Sequence, residues 1–328
     1  MAIVYHDMLL EHVQWEGHPE SPFRIKTLKR KLENEGLWKD VVAPDPIDEN
    51  LVLRVHTQKH LDRLNKGDNL LVDHDTMLGA KTYRYAMLSA SVAVTAVKLA
   101  MNGTPALGLT RPPGHHAGKE TMGGFCYLNN VAVAVETAGV RTAIIDIDAH
   151  HCNGTEEIFY GRDDVLVTDL HEAGIYPGTG QMECIGTGAG TRYTVNIPIP
   201  AGSGNKSYEK AMSEIVVPVL REFKPELTVV SLGVDAHYCD PTSHLLLNTQ
   251  GYIELCKRLI GESENGKMAF ILEGGYHLRA TAEVVAGVMA TLDGKEIKAE
   301  YGEDKGEQSN GLREVRKIKE YIGEKWNL

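Results

Sequence analysis

Residues 142–155 read Thr-Ala-Ile-Ile-Asp-Ile-Asp-Ala-His-His-Cys-Asn-Gly-Thr. The run opens apolar and β-branched, Ala143 to Ile145, the composition of a strand buried on both faces of a parallel sheet. It then breaks into Asp146, Asp148, His150 and His151. Unpaired charge next to a buried strand is costly, so such groups are paired with one another or bound to metal. Asp148 and His150 stand two apart, and an extended segment points them the same way. One carboxylate and one imidazole on one side make two of the three protein ligands of an open zinc site. A surface Asp/His cluster, or an Asp capping the next helix, accounts equally well for this stretch alone.

Outward from this stretch, 328 residues suffice for one large α/β domain or two modest ones. A formal net charge of −11 argues against a nucleic-acid or anionic-membrane partner. The five cysteines (126, 152, 184, 239, 256) form no CxxC pair, which fits reduced thiols in a cytoplasmic protein. The opening Met-Ala-Ile-Val-Tyr-His has no signal-peptide character, and no apolar run is long enough for a bilayer. With fourteen histidines in the chain, only clustered ones merit a chemical reading.

Strand-like and helix-like stretches alternate. Strands are expected at 2–5, 106–110, 143–145, 165–170, 194–199, 227–233 and 268–272. Helices are expected at 23–37, 81–101, up to Ala138, 208–223, 250–260 and after Tyr276 to about Leu292. Residues 51–64 are mixed, and 66–75 are polar and loop-like. This alternation implies a parallel sheet between helical layers, a three-layer α/β/α architecture. Residues 1–294 read as one domain; 295–328 read as a polar connector and a terminal helix with Val315, Ile318, Tyr321 and Ile322 at helical spacing.

The polar surprises fall at strand ends, where open parallel sheets bind ligands. They are His115 and His116 after Arg111-Pro112-Pro113-Gly114, Asp148 and His150, Asp235, and Tyr276 after Glu273-Gly274-Gly275. Asp148, His150 and Asp235 would supply an oxygen-rich set for Zn²⁺ or Fe²⁺. His115 and His116 would be an acid/base pair, with Asp146 and Asn153 the candidates to orient them. Tyr276 is suited to polarising a carbonyl oxygen.

The ordered motifs Arg-Pro-Pro-Gly-His-His-Ala (111–117), Gly-Phe-Cys-Tyr-Leu-Asn-Asn (124–130), Asp-Ile-Asp-Ala-His-His (146–151), Tyr-Pro-Gly-Thr-Gly (176–180) and Glu-Gly-Gly-Tyr (273–276) resemble the zinc-dependent histone deacetylase family, which includes acetylpolyamine amidohydrolases. The resemblance spans roughly residues 1–294. It implies the arginase/deacetylase fold with about eight strands, one zinc on Asp148, His150 and Asp235, and an acylated amine as substrate. It pairs His115 with Asp146 and His116 with Asn153, and gives Tyr276 the substrate carbonyl. Phe125 and Tyr176, with Gly124 nearby, would wall the channel, and Asp75 would be a rim acid. A structural K⁺ would involve Asp146, Asp148, His150, Asp169 and Leu170.

Departures from the family pattern narrow the reading. Asn153 is the class II-like choice where class I members carry Asp, and it should leave His116 less basic. Cys152 and His237 stand where a bimetallic arginase-like site would place carboxylates, so one metal is favoured. Thr242 stands where some polyamine-selective members place an acid. The alternatives are an acetylpolyamine-specific enzyme and a silent acyl-amine binder. Either a monomer or an oligomer is compatible with the sequence. His171 and His237 read as bracing groups, His18, His56 and His60 as structural or exposed, and Trp15, Glu16 and Glu20 as surface packing.

Overall fold

In the computed structural model, which describes residues 1–263 and 266–328, the strands in chain order are β1 (Ala2–Val4), β2 (Val41–Val42), β3 (Leu70–Leu71), β4 (Met77–Leu78), β5 (Ala106–Gly108), β6 (Thr142–Asp146), β7 (Val165–Glu172), β8 (Thr194–Ile199), β9 (Leu227–Leu232) and β10 (Met268–Leu272). Eight of them form one sheet in the order β2-β1-β5-β10-β9-β6-β7-β8, with every pairing parallel. β6, β9 and β10 are buried at every residue, which is why their sequences show no polar alternation. Parallel neighbours need crossover connections, and helices supply them. Thr82–Met101 and Asn130–Ala138 pack together and against the central strands. Phe23–Asn34, Leu278–Leu292 and Thr249–Glu262 form a second packed series. The three-layer α/β/α arrangement expected from the alternation is the one the chain adopts.

Local signals place the boundaries. Asn129 accepts a hydrogen bond from Ala132 N to start one helix, and Gly139, at φ +60°, ends it. The mixed 51–64 region resolves into helices Glu49–Val52 and Gln58–Lys66, capped by Asp48 and Thr57. The expected 66–75 loop contains the small β3–β4 hairpin, too short to show periodicity in sequence. The helix expected at 208–223 begins earlier, at Asn205, and widens into a π turn at Met212–Val216. Pro218 follows that turn; its ring cannot sit against the carbonyl four residues back in an unbroken α-helix.

Helix Gly311–Gly323 lays Val315, Ile318 and Ile322 onto β8 and helix Asn205–Ala211, covering the outer strand. The connector before it is pinned where the Glu307 carboxylate accepts from Gly204 N and Ser207 N. Among the described residues no helix is long and apolar enough to cross a membrane.

Candidate active site

Neighbouring central strands β5, β10, β9 and β6 all end on the same side of the sheet, and each delivers part of one cluster. Asp148 and His150 follow β6, Asp235 follows β9, and Gly274 follows β10. Backbone amides orient both carboxylates: Gly274 N donates to Asp148 Oδ2 at 2.8 Å and His150 N to Asp148 Oδ1 at 2.9 Å, and Ala149 N donates to Asp235 Oδ1 at 2.7 Å. Asp148 Oδ1 and Asp235 Oδ2 both lie 3.1 Å from His150 Nδ1. A Cβ on Gly274 would overlap both Asp235 Oδ2 and Asp148 Oδ2, so only glycine fits there.

These three side chains are the one group among the described residues whose metal-binding atoms converge within 4.8 Å. Burial pulls the His150 imidazole down, but the facing Asp235 and Asp148 carboxylates outweigh it and raise it to about 10. Burial, then Asp148, pushes Asp235 up to about 7. Two buried carboxylates aimed at one point call for positive charge. One imidazole with two carboxylates is a donor set for a catalytic divalent ion, so the residues fit.

The two histidines stand beside this group with ring centroids 4.0 Å apart. His115 Nδ1 lies 3.2 Å from Asp146 Oδ2, and His116 Nδ1 lies 2.7 Å from Asn153 Oδ1. Burial lowers His115, yet Asp148 and Asp146 overcome it and hold the imidazole well above its ordinary value. Burial, then His115 and His150, drives His116 well below its own. The two adjacent imidazoles are thus pushed in opposite directions.

A cleft of about 170 Å³ opens over the cluster. His116, His150, Gly124 and Phe125 line it, together with Tyr176, Tyr276, Asp75 and Thr242. Phe125 meets Tyr276 edge-on at 5.6 Å, and Tyr176 meets His116 edge-on at 4.9 Å. Phe125 has φ +66°, an unfavourable backbone for a bulky residue. Two hydrogen bonds from the β3–β4 hairpin hold it there: Gly124 N donates to Asp73 Oδ2 at 2.7 Å, and Phe125 N to Thr76 Oγ1 at 2.8 Å. A Cβ on Gly124 would overlap His116 Cδ2, so this glycine lets the wall approach the ring. Burial raises the Tyr276 phenol well above 10, keeping its proton. Asp75 sits at the mouth, its carboxyl raised by burial and then by Asp73.

Of the residues singled out for catalysis, the channel and the catalytic metal, His116, His150, Gly124, Phe125, Tyr176, Tyr276 and Asp75 line the cleft, while His115, Asp146, Asn153, Asp148 and Asp235 stand behind them, joined to the lining side chains. Of the positions proposed for K⁺, Asp146 and Asp169 are register partners on β6 and β7. Asp169 Oδ2 accepts from Cys152 N, while its buried Oδ1 has no hydrogen-bond donor and lies 3.1 Å from His171 Nδ1. The Leu170 carbonyl accepts from Tyr208 Oη at 3.4 Å.

Several supporting residues were not legible. Glu20, expected on the surface, is fully buried, because Arg111 Nε lies 2.8 Å from its Oε1 and Arg24 Nη1 lies 3.4 Å away. Arg24 in turn donates to the carbonyls of Gly275, at 2.7 Å, and Glu273, beside Tyr276. Asp240 Oδ2 accepts from Tyr276 N at 2.6 Å and His277 N at 2.9 Å, and its Oδ1 takes the Thr242 hydroxyl. The available signals were the Glu20/Arg24 spacing of four and the Arg111 that opens the histidine motif. His18 is buried and braces Phe125 edge-on at 4.6 Å.

Comparison with known proteins identifies the family and the fold. A model of the histone deacetylase domain family matches residues 18–292. A probable deacetylase of Archaeoglobus fulgidus is 38% identical over 316 residues, covering 91% of this chain and 88% of that one. A histone deacetylase-like amidohydrolase of Pseudomonas aeruginosa is 38% identical over 277 residues, covering 79% and 73%. The crystal structure of the HDA15 HD domain superposes with a TM-score of 0.91 at 31% identity, covering 99% of this chain and 95% of that one.

Proposed function

The chain belongs to the histone deacetylase family, and from that premise we propose that it is a zinc-dependent amidohydrolase that removes an acetyl or short acyl group from an amine. The observation that carries this reading is the convergence of Asp148, His150 and Asp235 at the foot of a cleft walled by Phe125 and Tyr176. Asp148, His150 and Asp235 would hold the ion, with Fe²⁺ the alternative for the same donors. Bound there, it supplies Lewis acidity that polarises an amide carbonyl and acidifies water.

The remaining work falls to this chain's own groups. His116 donates its Nδ1 proton to Asn153 Oδ1, which leaves the Nε2 lone pair as the base for the attacking water. His116 lines the cleft within reach of the attacking water, whereas His115 stands behind it, its Nδ1 held against Asp146. The proton taken from water goes to the amide nitrogen as the C–N bond breaks, giving the carboxylic acid and the free amine. The Tyr276 phenol donates to the oxyanion that develops on the carbonyl. Phe125 and Tyr176 hold the apolar stem of the acylated amine between them and exclude water from it.

The presence of all three proposed ligands and of Tyr276 weighs against a silent binder. The substrate class best supported is acetyl-lysine in a peptide: the cleft is narrow, and Thr242 adds no charge to its wall. Asp75 at the mouth would accept hydrogen bonds from the backbone of such a peptide. Asp73 and Asp75 together support the second reading, an acetylpolyamine, whose distal amines are cationic. A structural K⁺ beside Asp146 and Asp169 would share the buried Asp169 Oδ1 with His171. The five free cysteines suit a cytoplasmic setting. Hydrolysis of acetyl-lysine peptides against acetylputrescine and acetylspermidine tests the assignment: peptide turnover supports the first reading, exclusive polyamine turnover replaces it with the second, and turnover of neither refutes both.

A further inference from the structure

The sequence Glu273-Gly274-Gly275-Tyr276 closes the last strand of the sheet. Three of its residues are accounted for: Gly274 backs Asp148, Gly275 takes Arg24, and Tyr276 lines the cleft. Glu273 has no part in the chemistry above. It is nevertheless fully buried, where a carboxylate is costly unless its oxygens are used. Burial pushes its carboxyl up to about 7, against the pull of His115.

Its oxygens reach across to the histidine turn. Oε2 accepts from Gly114 N at 2.7 Å and from His115 N at 3.2 Å, and Ser231 Oγ lies 3.5 Å from Oε1. The carbonyl side of the same turn is held separately. Gly154 N and Thr155 N both reach the His115 carbonyl at 3.1 Å, and Ser89 Oγ reaches the Pro112 carbonyl at 2.7 Å. Glu273 therefore restrains the amide side, and it does so from the strand end that also carries Tyr276.

We propose that Glu273 is a positioning residue for the reaction. Its Oε2 bridges the Gly114 and His115 amides and so fixes the His115–His116 pair against Tyr276 and the Asp148 ligand in one rigid frame. The proton acceptor and the oxyanion donor follow strands β5 and β10, far apart in sequence; Thr110 and the Arg111–Glu20–Arg24 triplet also join these strand ends, but Glu273 is the side chain that holds the Gly114 and His115 amides themselves. What the turn requires of it is an acceptor oxygen at the right reach.

This inference rests on the amidohydrolase reading, and the test separates the two. Glu273→Gln keeps the reach and loses the charge, whereas Glu273→Asp keeps the charge and pulls the oxygen back by roughly 1.5 Å, one C–C bond. Zinc-loaded wild type and both variants are assayed on the acetyl-lysine peptide and acetylpolyamine panel. Zinc content and the amide proton shifts and exchange rates of Gly114 and His115 are measured in parallel. The Gln variant should keep most of the wild-type kcat and the protected amides. The Asp variant should lose amide protection and fall in kcat by about 100-fold, the scale of a 1 Å misplacement, with KM and zinc content held.

A Glu273→Asp variant at wild-type kcat, or a Gln variant as impaired as the Asp one, overturns the positioning role. A wild-type protein that hydrolyses none of the panel overturns the amidohydrolase reading and the catalytic consequence with it; the amide measurements still decide whether Glu273 holds the turn.

Discussion

Replacing Glu20 by Gln, a change of charge at nearly constant shape, probes how the Tyr276 loop is held. Glu20 is fully buried between two buried guanidiniums, Arg111 at 2.8 Å and Arg24 at 3.4 Å. Burial raises its carboxyl, but Arg111, then His12 and Arg24, hold it below its ordinary value, so it is ionised in the fold. Gln matches the shape and leaves two buried cations without their anion. Breaking a buried pair in this way costs about 3–5 kcal/mol.

For a chain of 328 residues the unfolding entropy is about 0.7 kcal/mol/K, so the melting temperature should drop by about 4–7 °C. Differential scanning calorimetry of both proteins at about pH 7.5, near neutrality, measures this. Activity should fall at temperatures well below the melt, because Arg24 holds the Glu273 and Gly275 carbonyls next to Tyr276. An unchanged melting temperature would refute the reasoning. A lowered one with full activity would confine the triplet to stability.

Three further outcomes are expected. Tyr276→Phe should fold and keep zinc while kcat drops by roughly 100- to 1,000-fold, the effect of removing one oxyanion donor; wild-type turnover would exclude the phenol from the reaction. Asp235→Ala should abolish metal binding in a folded protein, read by metal analysis after dialysis, and full zinc occupancy would refute the ligand set. Acid should destabilise the fold early. Burial lowers His12 to about 4, His56 to about 3, and His237 to about 4. The unfolded chain therefore binds more protons below the ordinary histidine value of about 6.5, and stability falls as pH drops from about 6.5 toward 4. These three groups contribute about 4 kcal/mol per pH unit near pH 5, of which Asp235 and Glu273, both raised to about 7 by burial, offset about 3, so the net fall is about 1 kcal/mol per unit. Urea midpoints that stay level between about pH 7.5 and 5 would contradict it.

Much of the fold and the cleft was legible because each functional residue follows a strand with a plain signature. Ala143–Ile145 marks β6, which ends in Asp146 and is followed by Asp148 and His150; Asp235 comes soon after β9, and His115 after the turn that closes β5. What escaped is the layer of partners behind them. Glu20 meets Arg111 across 91 residues, and Arg24 meets Gly275 across 251, so no local pattern records either contact. Asp73 supports Gly124 from a hairpin whose paired strands have two residues each, too few for periodicity to register. The widened turn before Pro218 went unread because the apolar helical pattern runs through it without a break.

The central claim is that Asp148, His150 and Asp235 hold the ion on which hydrolysis depends. Stripping the protein with a chelator and titrating zinc back, while following acetate release from an acetyl-lysine peptide, tests it directly. Activity should vanish on stripping and return fully at one zinc per chain. Turnover that persists in metal-free protein would contradict the claim, and so would a zinc-saturated protein that releases no acetate.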